Sequence, residues 1–124
     1  MRAFLYCRVA REDTCALEHQ RFLLQSCAKQ AGYTIIGAAD EYGSGLTLER
    51  PALRKVTEAV VAGRVDVVFV QSLTRIGRER RMIQRYIDLL TRHKVKLLCI
   101  RERLLFDENG ATPILITKNA ECPL

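Results

Sequence analysis

The sequence predicts an α/β fold, an open and mainly parallel four-stranded sheet with helices on both faces. Three observations carry that reading. Apolar, β-compatible runs alternate with helical stretches in the order βαβαβαβ, which requires parallel strands joined by right-handed crossovers. The run Val65 to Val70 has the character of a strand buried on both faces. Two arginine signatures, Tyr6-Cys7-Arg8-Val9-Ala10-Arg11 and Leu73-Thr74-Arg75-Ile76-Gly77-Arg78, each fall where a strand-like run ends.

Strand one is expected over 2–9, where Ala3, Phe4, Leu5, Tyr6, Cys7 and Val9 are largely apolar. Asp13 or Thr14 caps the following helix, and Glu18 suits its first turn. That helix runs to about Ala31, with Leu17, Leu24, Cys27, Ala28 and Ala31 on one face and Gly32 as its stop. Tyr33 to Ala39 reads as strand two, and Asp40 to Arg50 as a mobile loop with two glycines. Pro51 opens helix two, whose core face is Leu53, Val56 and Val60 and which Gly63 ends. Strand three is Val65 to Val70, followed by a loop over 73–81. Met82, Ile83, Tyr86, Ile87, Leu89 and Leu90 mark helix three, and Val95 to Ile100 strand four. Beyond Asp107, Asn109-Gly110 signals a turn, and Thr112 to Thr117 is too short for an independent element. No repeat, low-complexity tract or linker interrupts the chain.

At 124 residues the chain is one domain. Its net charge is +6, and arginine outnumbers lysine fifteen to five. That bias favours fork-type recognition of oxyanions, and the usual polyanion for a basic domain is nucleic acid. The five cysteines (Cys7, Cys15, Cys27, Cys99, Cys122) form no CxxC pair and read as small hydrophobes in a reducing compartment, not as disulfide or metal ligands. His19 and His93 have no acid or metal partner at useful spacing and read as surface residues. No apolar stretch has membrane-helix length and the N-terminus has no signal-peptide pattern, so a cytoplasmic location without membrane contact is expected. GxGxxG, P-loop and HExxH motifs are absent. Asp40-Glu41 resembles an acid pair of the receiver-domain type, but no matching aspartate follows strand three.

In an open parallel sheet, ligands bind beyond the carboxyl ends of the strands, where the strand order reverses. With strand one central, the order is 2-1-3-4 and the loops after strands one and three frame a crevice. Arg8 and Ala10 line one side, and Thr74, Arg75 and Arg78 the other. Arg80 and Arg81 extend the positive field. Converging arginines repel by several kcal/mol unless an anion sits among them, which points to a phosphate site. The competing readings are a sheet-edge pairing of Arg8 with Glu41 or Asp40, a solvated helix start for Arg78, Arg80 and Arg81, and a solvated loop position for Arg50. Cations are disfavoured at a helix N-terminus, which argues against the second.

The ordered set Tyr6-Cys7-Arg8-Val9, Leu17-Glu18 with Gln20, Gly32-Tyr33, Asp40-Glu41 through Gly43-Ser44-Gly45, Arg50-Pro51 with Leu53, and Leu73-x-Arg75-Ile76-Gly77-Arg78 resembles the serine recombinases, the resolvase and invertase group. The resemblance covers 1–107 and implies a resolvase catalytic-domain-like fold, with 108–124 as a short tail, truncated relative to the family. Family members continue with a long dimerising helix and a DNA-binding domain. The reaction implied is site-specific strand cleavage and exchange through a phosphoserine link, with no cofactor and no metal. By resemblance the activating arginines are Arg8, Arg50, Arg75 and Arg78, with Gln20 in support. Arg11, Ser44, Arg80 and Arg81 complete the expected DNA-phosphate set. Two departures stand out: the nucleophile position is Ala10, and the acid position is Thr74. The chain is therefore expected not to cleave DNA, and Cys7, Thr14, Cys15 and Ser44 are not expected to substitute. The alternative is a non-catalytic module that binds DNA or a recombinase and regulates it. A third reading is an unrelated doubly wound domain for a small phosphorylated ligand. Expected partners are DNA, bound weakly by the isolated domain, and a second copy or a recombinase.

Overall fold

The structure, a computed structural model, describes residues 1–44 and 48–107 and the backbone of 114–115. The elements in order are β1 (Arg2–Val9), α1 (Thr14–Gln30), β2 (Thr34–Tyr42), α2 (Pro51–Val61), β3 (Val67–Val70), a 3-10 turn (Leu73–Arg75), α3 (Arg80–Arg92), β4 (Lys96–Cys99), β5 (Leu104–Phe106) and β6 (Ile114–Leu115). They form one sheet in the order β2-β1-β3-β4-β5-β6. The four parallel strands take the expected 2-1-3-4 arrangement.

The sheet is larger than the four strands expected. After β4 the chain turns tightly, with Arg103 in the left-handed region at φ 55°. The apolar triplet Leu104-Leu105-Phe106 then pairs antiparallel with β4. Residues 114–115 pair in turn with β5. Two residues suffice there because the existing edge supplies their partners. The sheet thus continues past 107. The expected Asn109-Gly110 turn, Cys122 and most of the tail lie outside the described residues.

Other boundaries shift by a few residues for local reasons. Asp13 caps α1 by accepting from the Ala16 N–H at 3.0 Å, so the first turn is Thr14–Leu17 and Glu18 lies beyond it. Gly32 and Gly63 follow α1 and α2 at φ 79° and 74°, a conformation in which a side chain is penalised. β2 runs on to Tyr42, so Asp40 and Glu41 belong to a strand and not to the expected loop. The full length of β1 holds them there, in pairs up to Val9↔Tyr42. Neighbouring strand residues point to opposite faces. Asp40 accordingly pairs with Arg21 of α1 while Glu41 turns to α2, and they do not form an acid pair.

The alternation along β1 divides the core in two. Ala3, Leu5, Cys7 and Val9 pack beneath α1 with Leu17, Leu24, Cys27, Phe69 and Ile100. Tyr6 joins Val68, Val70 and Leu97 beneath Leu53 and Val56 of α2 and Tyr86, Ile87 and Leu90 of α3. Helices therefore cover both faces, as βαβ crossovers require. No helix among the described residues is long and apolar enough to cross a membrane.

Candidate functional site

β1 is eight residues long, but β3 pairs with it only at Ala3, Leu5 and the residue between. From Tyr6 onward the β3 side of β1 has no strand beside it. Gln20 of α1 fills that gap. Its side-chain oxygen accepts from the Arg8 N–H at 3.0 Å and its amide nitrogen donates to the Arg8 carbonyl at 3.2 Å, as a neighbouring peptide would. Gln20 is 2% exposed and braces the end of β1 from within the core.

The Arg8 side chain ties two segments, the residue after β2 and the 3-10 turn, to the end of β1. Nε donates to the Arg75 carbonyl at 2.8 Å, Nη1 to the Gly43 carbonyl at 2.6 Å and Nη2 to the Thr74 carbonyl at 2.6 Å. Neither Asp40 nor Glu41 pairs with it, which overturns the sheet-edge alternative. A guanidinium carries five N–H groups, so two remain for a ligand. Burial first, and then the charge of Arg50, push its pKa below the ordinary arginine value.

Arg50 is not a solvated loop residue. It is 5% exposed and lies under the 3-10 turn, donating to the Arg75 carbonyl at 3.2 Å and to the Ile76 carbonyl. Its guanidinium lies 5.8 Å from the centre of the Tyr6 ring. The Tyr6 hydroxyl donates to Glu41 at 2.5 Å, and Glu41 also accepts from the Ala52 and Leu53 N–H groups at 3.0 and 3.3 Å. Glu41 thus sits at the positive end of α2. Burial, and then the Glu41 hydrogen bond, raise the Tyr6 pKa. Arg50 supports the loop from below and does not reach the concavity above it.

That concavity, of about 530 Å³, opens beyond the carboxyl ends of β1 and β3 and is lined by Arg8, Ala10, Ser44, Thr74, Arg75 and Arg78. The two loops expected to frame a crevice do so, and the β2 loop adds Ser44. Arg75 is held by Gln71, whose Oε1 accepts from Nε at 3.2 Å and Nη2 at 2.9 Å. Burial, and then the charge of Arg101, lower the Arg75 pKa. Arg78 is exposed and has no hydrogen bond or ion pair among the described residues. Thr74 Oγ1 is hydrogen-bonded to Ser72 Oγ at 3.1 Å. Arg11, Arg80 and Arg81 are exposed beside the concavity and are not part of its lining. Arg80 and Arg81 occupy the first turn of α3, which starts earlier than the expected Met82.

Three supporting residues escape sequence reasoning. Gln71 orients Arg75, Glu41 joins Tyr6 to α2, and Glu102 of the β4–β5 turn accepts from Ser72 Oγ at 2.8 Å and the Leu73 N–H at 3.2 Å. For Glu41, strand parity with Ala39 was an available signal; for the other two there was none. Among the described residues no group of three or more His, Cys, Asp or Glu side chains is placed to hold a metal.

Comparison with known proteins agrees with this geometry. Residues 3–118 match the model of the resolvase N-terminal domain. The chain is similar to the N-terminal catalytic domain of TP901-1 integrase at 24% identity, over 85% of this chain and 81% of that one, with a TM-score of 0.78. It is similar to the C-terminal catalytic domain of ISC1926 TnpA, an IS607-like serine recombinase, at 29% identity, over 81% of this chain and 70% of that one, with a TM-score of 0.77. A resolvase family site-specific recombinase from Streptococcus pneumoniae matches at 23% identity, over 95% of this chain and 78% of that one, with a TM-score of 0.71. With residues 3–118 of its 124 matched by the family's model, the chain belongs to the resolvase family of serine recombinases.

Proposed function

We propose that this chain is a serine-recombinase domain that binds a DNA phosphodiester in its arginine pocket and does not cleave it. The observation that carries this reading is Ala10, which lines the concavity beside Arg8, Arg75 and Arg78 at the family's nucleophile position. The arginines suit an oxyanion: forked donors match phosphate oxygens and offset the charge that grows during transfer. A methyl group at position 10 has no oxygen with which to form an ester. Without the nucleophile, strand cleavage falls by orders of magnitude, whatever the surrounding groups retain.

Substitute nucleophiles fit poorly. Cys7 is buried beneath α1, and that burial pushes its thiol up to about 12. Cys15 and Thr14 are exposed and outside the lining. Thr74 has its hydroxyl engaged with Ser72 and stands where the family carries an acid. Ser44 lines the concavity after the end of β2, and no His, Asp or Glu among the described residues lines it with Ser44. The functional unit on this reading is 1–107, with 108–124 as a tail that adds the edge strand at 114–115 to its sheet. A domain that holds DNA without cutting it suits regulation, through a second copy of itself or an active recombinase.

The test is a covalent-adduct assay. Supercoiled plasmid and a nicked duplex are incubated with the protein and resolved under denaturing conditions. No adduct is expected, and an adduct at any wild-type residue overturns the proposal. Duplex binding is expected to be weak, because few phosphates are contacted, and to fall with rising salt with a slope of about 0.9 for each contact. Ala10→Ser, in a chain supplied with a DNA-binding domain, is expected to yield the adduct. A nucleotide or sugar phosphate that raises Tm where a duplex does not would favour a small-ligand site instead.

A further inference from the structure

A second concavity, of about 270 Å³, is lined by Leu23 of α1 with Gln71, Ile100, Arg101 and Arg103, and Gln71 hydrogen-bonds Arg75 of the arginine pocket. We infer that it is a second anion subsite, which takes a neighbouring phosphate of the same DNA strand. The inference rests on the reading of the first pocket and extends it from a point contact to a track.

Gln71 is the wall between the two concavities. Its side chain accepts from Arg75, which lines the first, while Gln71 itself lines the second. The turn that follows β4 supplies the arginines. It is locked onto the end of β3 by the Ile100 N–H to the Val70 carbonyl at 3.1 Å and the Arg101 N–H to the Gln71 carbonyl at 2.8 Å. Both guanidiniums are thus carried on a fixed turn, not on a free loop.

Neither arginine has an ion pair among the described residues. Glu102, which lies between them in sequence, is committed to Ser72 and Leu73. Among the described residues no carboxylate pairs with either guanidinium, and Arg101 is close enough to depress the pKa of Arg75. Arg103 holds φ 55°, a conformation that glycine adopts without strain and an arginine does not. A solvated turn would be better served by glycine there. The floor of Leu23 and Ile100 is apolar, which suits the sugar between two phosphates.

The test uses the full chain with a short DNA duplex, measured by fluorescence anisotropy over a salt series. Arg101→Gln, Arg103→Gln and their combination are compared with Arg78→Gln in the first pocket. Each lost phosphate contact is expected to flatten the slope of log affinity against log salt by about 0.9. The double variant is expected to bind several-fold more weakly. Arg103→Gly should lose the same affinity while Tm stays level or rises, which separates lost charge from lost fold. If the double variant keeps the parent's affinity and slope while Arg78→Gln does not, the second subsite is refuted and the first pocket stands. If the parent and all variants bind equally, both readings fail. A duplex-independent rise in Tm with inorganic phosphate, lost in the double variant, would assign the subsite to a free anion and refute the DNA track.

Discussion

Gln20→Leu tests whether the end of β1 is braced as described. The substitution keeps the volume of a fully buried side chain and removes both of its polar atoms. The Arg8 N–H and carbonyl then lose their partners inside the protein. An unsatisfied buried backbone group costs about 1–3 kcal/mol. Two such groups cost roughly 2–6 kcal/mol, and leucine's greater apolar burial returns about 1–2 kcal/mol of that. The expected net loss is about 1–4 kcal/mol. For a chain of this size that is a fall in Tm of roughly 4–16 °C. Urea denaturation followed by circular dichroism measures it, with the slope m unchanged. Gln20→Glu is the companion variant: it can still accept from the N–H but cannot donate when ionised, and it buries a charge. It is expected to be destabilised as well, and less so toward acid pH. A loss below about 1 kcal/mol for Gln20→Leu would refute the reasoning, because it would mean that the β1 end is satisfied without α1.

Three further outcomes are expected. Gly37→Ala places a Cβ 2.8 Å from Phe4 Cε2, so the ring must move; a loss of about 1–3 kcal/mol is expected, partly restored by Phe4→Leu in a double-mutant cycle. Iodoacetamide near pH 8 should label exposed Cys15 in the native protein and reach buried Cys7, Cys27 and Cys99 only after denaturation, as peptide mass spectrometry reports; native labelling of Cys7 would contradict its burial and its raised pKa of about 12. Asp66 is held at about 2 by hydrogen bonds from the Arg2 side chain and N–H. Its native pKa lies below its unfolded value, so its stabilisation is present above about pH 4 and fades as pH falls toward 2; an NMR titration should find that Arg2→Gln raises the Asp66 pKa while the backbone contribution persists.

The element sequence and the location of the pocket were legible from simple periodicities, and the order 2-1-3-4 followed once strand one was placed at the centre. Continuous apolar runs mark parallel strands, and the residues just past them must gather at one edge. Ala10, Thr74, Arg75 and Arg78 needed nothing more. Less legible was anything held by a partner distant in sequence. Asp40 and Glu41 look like loop residues until β1 is known to run alongside them. The pairing of 104–106 depends on Arg103 entering a backbone region that its side chain disfavours, and no local pattern announces that. Arg50 and Gln20 entered the expected set by resemblance, and no local pattern announces how deeply both are buried. Their burial is possible only because main-chain groups of other segments meet their hydrogen-bonding atoms.

Two guanidiniums, from β1 and from the residue before α2, converge on one peptide oxygen at position 75. Every amino acid brings that oxygen. The route of the segment is consequently indifferent to which side chains it displays. The side chains at positions 10 and 74 can vary without disturbing the scaffold beneath. The backbone's course and the surface it displays are separately encoded here.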